Sequence, residues 1–506
     1  MTKRAFTCSA RLMFLLGFLA LPSGLIHSQE PPSDDLRLLK VIPIPNWTTT
    51  GSTQANHDLL TFNPATRVMY LADRVNHGAT AIDTRTNTVL GTVVPPNCAS
   101  GSSCPSGALL VPDLQKLVLT DRRTTVYIYD LRVPAPSPVT VTVPSGSDEL
   151  DYDPLHQRVY VANTNAPFFL TAIDLVGPSA NTVVARIPLP SNPEQPRFNP
   201  VDGTIWQNIT DEDHGGAGSS LAVIDTTANA ILATFPIPDC QPHGIDFDPV
   251  SRRALLGCSG SNPQKLVSLA DGRVLENFPQ VSGTDVEYFN PNLRRWYTAS
   301  SNNTVSGVNC PKDTTGAFPV VGVFAARAER HEGEDSDGDG GPARFVEAQC
   351  SARNGHGLGV DPIQNNIYVG ARQFPADPND PNTGQAGVLV FHDPARLAQG
   401  AFRRGHASLE PLGGSGVTGR VAFLARGRKL GVRAEIEGLP DGGPVLLNVT
   451  TTVGNEVVPC AVSDGSARCR GTLLGDPLIG GVVLAAAGGS PVARGTIRAG
   501  GAEESE

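Results

Sequence analysis

The chain has 506 residues, of which 39 are basic and 49 acidic, for a formal net charge of −10 at pH 7. No basic stripe interrupts this acidic balance, which argues against nucleic acid as a partner. Glycine and proline are abundant, at 53 and 43 residues. That is high for a helical enzyme, no run shows convincing helical periodicity, and an all-β chain rich in turns is expected.

The chain opens with Lys3, Arg4 and Arg11 ahead of an apolar run from Leu12 to Leu21, followed by small and polar residues. This is the pattern of a secretory signal peptide over residues 1–28, cleaved after Ser28. The run is too short to serve comfortably as a membrane anchor. Its removal takes away three basic residues and lowers the net charge to −13. No later apolar stretch is long enough to span, so the mature chain is expected to have no membrane span and to be secreted or periplasmic. Nine cysteines are present, and Cys8 lies in the signal. Eight remain, an even number that suits an exported protein. Cys98 and Cys104 flank a short loop. Cys240 and Cys258 fall on neighbouring antiparallel strands. Cys310 and Cys350 bracket a long insertion, and Cys460 and Cys469 sit near a C-terminal hairpin. These four pairs are the expected disulfides.

Asn56 to Val94 contains four short apolar runs, LLTF, VMYLAD, ATAID and TVLGTVV, each ended by a turn signal. Val, Ile, Thr and Tyr dominate them, so four antiparallel strands are expected, A to D from inside to outside. Strand A and its turn recur as TFNP, LLVPD, DYDP, RFNP, DFDP, YFNP and GVDP. Their pivotal residues are Phe62, Val111, Tyr152, Phe198, Phe247, Phe289 and Val360. Strand C with a terminal aspartate recurs at Asp83, Asp130, Asp174, Asp225 and Asp393. A four-stranded unit repeating every 40 to 50 residues or so is the signature of a β-propeller, and seven units predict seven blades.

These motifs, with VYVAN at Val159 to Asn163 and AIDTRTNTVLGTV in blade one, resemble the YVTN-type (YncE-like) propeller repeat family. The resemblance covers roughly residues 36 to 395 and implies fold more than activity, because one propeller scaffold hosts many functions. Blade seven has no evident D strand after Asp393. Residues 36–46, LRLLKVIPIPN, look like the D strands of later blades and are expected to close the ring. The propeller is expected over 36–398, with an insertion at 325–353. Beyond about Ser408 the blade motif stops, and alternating strands with Gly-rich turns predict a small β-sandwich over 405–500. Its GxVxF and GLPDG segments resemble superoxide-dismutase-like or chordin-type (CHRD) sandwich domains. No histidine follows His406, so that resemblance implies no copper chemistry here.

Stepping back four residues from each pivot gives Asp58, Gly107, Asp148, Glu194, His243, Asp285 and His356. Strand A lines the channel of a propeller, so these residues are expected to ring one mouth. Crowded carboxylates there need protonation or a cation. His243, His356, Asp285, Asp58, Asp148 and Glu194 are therefore candidate ligands of a divalent metal such as Zn, Mn, Fe or Ca. A polar ring is equally expected of any water-filled mouth. Asp335, Asp337 and Asp339 match the start of a calcium loop, although helical flanks are absent and Glu347 falls one place late. A second ring is suggested by the B-strand ends, Asp73, Asp121, Asn163 and Asn208, with Arg74, Arg122 and Arg372 beside them, although such residues end strands everywhere. The function expected is binding of a protein, glycan or small ligand through the loop faces and channel, by a monomer. The alternative is a metal-dependent, lactonase-like hydrolase or lyase at the mouth, with Glu194 or Asp148 as proton acceptor.

Overall fold

The computed structural model describes residues 35–499 apart from 52–53, 99–103, 212–215, 250, 307–309, 314, 327–341, 374–383, 396–403, 412–414, 427–428, 440–444, 452–453, 474–481 and 488–489. The signal peptide expected at residues 1–28 lies outside the described residues, as do Asp335, Asp337 and Asp339.

Each repeat folds as an antiparallel four-stranded sheet, and there are seven. Their A strands are His57–Asn63, Ala108–Val111, Ser147–Asp153, Asn192–Phe198, Pro242–Asp248, Val286–Asn290 and Leu358–Asp361. Each A strand touches the A strand of the next blade, and the last touches the first, so the sheets form a closed ring. The repeated Asn/Asp-Pro signal has a direct physical cause. The side chains of Asn63, Asp153, Asn199, Asn290 and Asp361 each accept the backbone N–H two residues on. Each thereby turns the chain from strand A to strand B. The fourth residue past these positions has positive φ, at Arg67, Gln157, Gly203, Arg294 and Asn365. The same turns lock neighbouring blades. Arg67 of blade one pairs with Asp361 of blade seven at 2.9 Å, and Arg294 of blade six pairs with Asp248 of blade five. On strand C, Asp83, Asp130 and Asp225 accept backbone N–H groups of the C–D turn. Asp174 instead binds Arg158 and Ser179.

Blade seven takes its outer strand from the chain's beginning. Arg37–Ile42 pairs antiparallel with Gly387–His392. Trp47, just after it, stacks on His57 of blade one with ring centroids 5.5 Å apart, and His57 stacks on His356 of blade seven at 4.8 Å. Trp47 also donates Nε1–H to Asp73 at 2.8 Å. Three rings from three parts of the chain therefore pin the closure.

Blade six differs from expectation in one respect. Its outer strand is Arg344–Cys350, paired with Val320–Ala325, so the segment read as an insertion at 325–353 contains a blade strand. Glu347 lies on that strand and accepts the backbone N–H of Leu36 at 2.6 Å. The disulfides are Cys98–Cys104, Cys240–Cys258, Cys310–Cys350 and Cys460–Cys469.

After the ring, strands from Arg404–Pro411 to Arg498–Ala499 form one nine-stranded sheet. Arg404–Pro411 pairs with Thr418–Arg426 on one edge and with Ser490–Thr496 on the other, so the hydrogen bonding runs round to where it began. Val421, Phe423, Val432, Ile436, Leu447, Val449, Val458 and Val483 are buried together as its core.

Candidate functional site

Four A strands carry a β-bulge near their start. The register shifts between His57 and Leu60, Ser147 and Leu150, Pro193 and Pro196, and Pro242 and Ile245. Inside these bulges sit Asp58, Asp148, Glu194 and His243, four of the residues expected at the mouth. A bulge places two residues opposite one and re-aims their side chains. In blade three this breaks the usual alternation and puts both Asp148 and its neighbour Glu149 in the same electrostatic setting as Glu194, Asp285 and Asp58. Blade two contributes Gly107. A Cβ there would collide with Leu150 and the Asp148 carbonyl, so the two strands meet closely only because no side chain is present.

The mouth residues have separate partners. Arg74 pairs with Asp58, and Arg122 Nε lies 3.7 Å from Asp148. His243 Nδ1 is 2.9 Å from Asp285 Oδ1. Asn192 donates to Glu194 at 3.0 Å. His356 Nδ1 lies 3.1 Å from the Asn354 carbonyl. Among the described residues, no group of three or more His, Cys, Asp and Glu is placed to hold a metal ion.

Proton affinities show how close these groups lie. Burial, with the charges of Asp148 and Asp285, raises Asp58 to about 6 against the opposing pull of Arg74 and His356. Blades one, three, six and seven therefore meet at this level. Burial also acts upward on Asp285, but the His243 hydrogen bond and nearby cations outweigh it and hold Asp285 at about 2. Burial, then Glu194, Asp148, Asp285 and Asp58, drives Glu149 well above the usual carboxylate range. Glu149 is 5% exposed, and its Oε2 has no hydrogen-bond partner among the described residues. Burial, then the charge of His356, lowers His57 to about 3, so it stays a neutral ring in the stack.

Sequence reasoning stepped back four residues and missed a second level of the channel one residue before each pivot. There Arg197 lies over the Tyr288 ring at 4.8 Å. Its Nη1 and Nε stand 3.9 Å and 3.6 Å from Asp151 and Asp246. Asp151 also accepts the Phe198 N–H and Asp246 the Phe289 N–H. Tyr288 donates across to the Leu60 carbonyl at 2.9 Å. This level is a layer in which one arginine stands between carboxylates of two blades. The signal was available, because Arg197 is a charged residue in the same repeat position as Asp151 and Asp246.

The B-strand ends serve the fold. Asp73 accepts from Trp47, Val75, Asn76 and Thr80. Asp121 accepts from Arg123, Thr125 and Ser147. Asn163 binds Pro144 and Thr171, and Asn208 donates to the His243 carbonyl. The next residues along, Arg74 and Arg122, turn to the mouth. Arg372 instead donates to the Ala55 carbonyl.

Fold and channel together define a seven-bladed β-propeller with an ionisable mouth. No family model matches the chain, and no curated protein matches it. Among solved structures it is similar to hydrazine synthase of Kuenenia stuttgartiensis, with 15% identity and a TM-score of 0.49 over 68% of this chain and 96% of that one.

Proposed function

We propose that this is an exported propeller of the YVTN type that binds a ligand or partner at the bulge-lined mouth and its loops, with a cation such as a divalent metal completing the site. The observation that carries this reading is the mouth itself: five carboxylates in one electrostatic neighbourhood, met among the described residues by Arg74, Arg122 and two histidines. Export is supported by four disulfides, which persist in oxidising compartments. No helix among the described residues is long and apolar enough to cross a membrane. We read the C-terminal sheet as a flattened, sandwich-like accessory domain. A metal-dependent hydrolase or lyase is the second reading, favoured by the His243–Asp285 pair, since a carboxylate on one ring nitrogen orients an imidazole as ligand or base.

The test begins with elemental analysis of protein purified without chelator or nickel, followed by thermal-shift profiling of small ligands on wild type and His356→Ala. A metal or ligand effect lost in the variant supports the mouth as the site. Ligands or partners that bind wild type and variant alike place function elsewhere.

A further inference from the structure

The turn after strand A of blade three carries more chemistry than a turn requires. Asp153 Oδ1 accepts the backbone N–H groups of Leu155 and His156 at 2.7 and 3.3 Å. Blades one, four, six and seven have the same cap, and there the third residue past it is Thr66, Asp202, Leu293 and Gln364. The turn therefore forms without an imidazole. In blade three the second carboxylate oxygen, Oδ2, lies 2.6 Å from His156 Nδ1. The Asp153 side chain is fully buried and that of His156 is 30% exposed. A carboxylate only accepts, so Nδ1 carries the ring proton and Nε2 is the acceptor. Nε2 faces Thr227 Oγ1 at 3.4 Å, across the boundary to blade four. Such a separation is common between nucleophile and base before substrate binds.

Thr227 is held from its own side. Asp225 Oδ1 accepts the N–H groups of Thr227 and Ala228 at 2.7 and 3.0 Å. Arg158 and Tyr160 of blade three reach across to the Thr226 carbonyl and the Asn229 side chain. At the matching turns of blades one and two, Arg85 and Arg132 fold back on Asp83 and Asp130. Blade four has threonine at that place, and its exposed hydroxyl turns to His156.

We infer that Thr227 is a nucleophile with His156 as its general base and Asp153 as a positioning residue, and that it takes the acyl group of small activated esters. This does not rest on the mouth, which lies at the other end of strand A. Thr227 Oγ bonds to the ester carbonyl carbon as its proton passes to His156 Nε2. The bond to the leaving oxygen then breaks, and that oxygen takes the proton. Water repeats the exchange on the acyl-threonine, releasing a carboxylic acid and restoring the hydroxyl. The N–H groups of Thr227 and Ala228 are already bonded to Asp225, so neither can steady the oxyanion. The site is therefore limited to esters whose leaving group is a weak base, such as aryl esters.

The test mixes the full chain with p-nitrophenyl acetate, follows the burst of p-nitrophenolate and locates the acetyl group by peptide mass spectrometry. The expected result is acetylation of Thr227, with a burst that slows at least tenfold in Thr227→Val and His156→Gln and persists in Thr227→Ser. Thr227 is exposed, so Thr227→Val leaves the fold intact. Asp153→Asn keeps the cap, since asparagine serves there in blades one, four and six. Its oxygen stays with the two N–H groups and its amide faces Nδ1. That variant should slow the burst and switch His156 to the Nε2–H tautomer, read by imidazole nitrogen chemical shifts, which a purely structural Asp153 would not do. Acetyl groups confined to other residues, a burst unchanged in Thr227→Val or His156→Gln, or no burst at all overturns the inference. An unchanged burst and tautomer in Asp153→Asn overturns the role of Asp153.

Discussion

Two levels of one channel, three residues apart in the repeat, solve the same electrostatic problem in opposite ways. At the inner level, Asp151 and Asp246 are buried, but Arg197 stands between them and each accepts a backbone N–H from the next blade. At the mouth, carboxylates outnumber the arginines, and Glu149 has no donor of its own. The inner level sets one arginine between two carboxylates and ties each carboxylate to the next blade. The mouth gathers more acids than cations, and that imbalance of charge is what separates the two levels.

Breaking the inner level should have the largest effect. Arg197→Met leaves Asp151 and Asp246 buried without their cation and should cost about 3–5 kcal/mol, read by denaturant unfolding. A loss under 1 kcal/mol would mean that the layer is not the brace described here.

The closure seam comes next. His57 has a folded value of about 3 against 6.5 when free. Between those values the unfolded chain binds the extra proton, so its contribution is whole above pH 6.5 and is lost as pH falls toward 3. The slope is up to about 1.4 kcal/mol per pH unit. The advantage of wild type over His57→Gln should shrink steadily across that window. Asp58, raised to about 6, acts in the opposite sense, losing stability as pH rises from about 4 to 6. Comparison of the two proteins cancels that term, and an advantage constant with pH would contradict the assignment.

Glu149→Gln should do the reverse of Arg197→Met. Because Glu149 is raised, its contribution is intact below about pH 4.5 and declines as pH rises. The variant should match wild type in acid and gain on the order of 1 kcal/mol by pH 8. Equal stability at both pH values would show that the carboxyl is already satisfied. The smallest effect belongs to Arg85→Ala. Arg85 is 58% exposed opposite Asp83, and its loss should leave the denaturant midpoint where wild type has it.

The ring of blades was legible because turn chemistry repeats. An Asn or Asp that caps each A–B turn recurs in sequence wherever the hydrogen bond recurs in space. Cys240–Cys258 and Cys460–Cys469 were legible for a related reason, since strand neighbours are close in sequence, whereas Cys98–Cys104 and Cys310–Cys350 were read from the segments they bracket. Arg344–Cys350 was hidden because residues 326–343 separate it from the rest of its blade and obscure the period. The alignment of pivots picked out six ionisable residues at seven equivalent positions, and four of them fall within β-bulges. Glu149 was missed because strict alternation assigns one residue per A strand to the mouth, and the bulge at Ser147–Leu150 interrupts that alternation. The inward turn of Arg74 and Arg122 is a matter of side-chain direction, which spacing does not encode.

The seam between Arg37–Ile42 and Gly387–His392 also sets a timetable. The first strand of the ring to be made finds its partner last, after about 350 further residues have been synthesised, and so distant a pairing is slow to form. Six blades can complete themselves locally as the chain emerges, but the seventh waits for both ends. Until then the A strands of blades one and seven lack their mutual neighbour. A chaperone that shields open strand edges would find its client in that interval, and a chain cut short before Gly387 would never leave it.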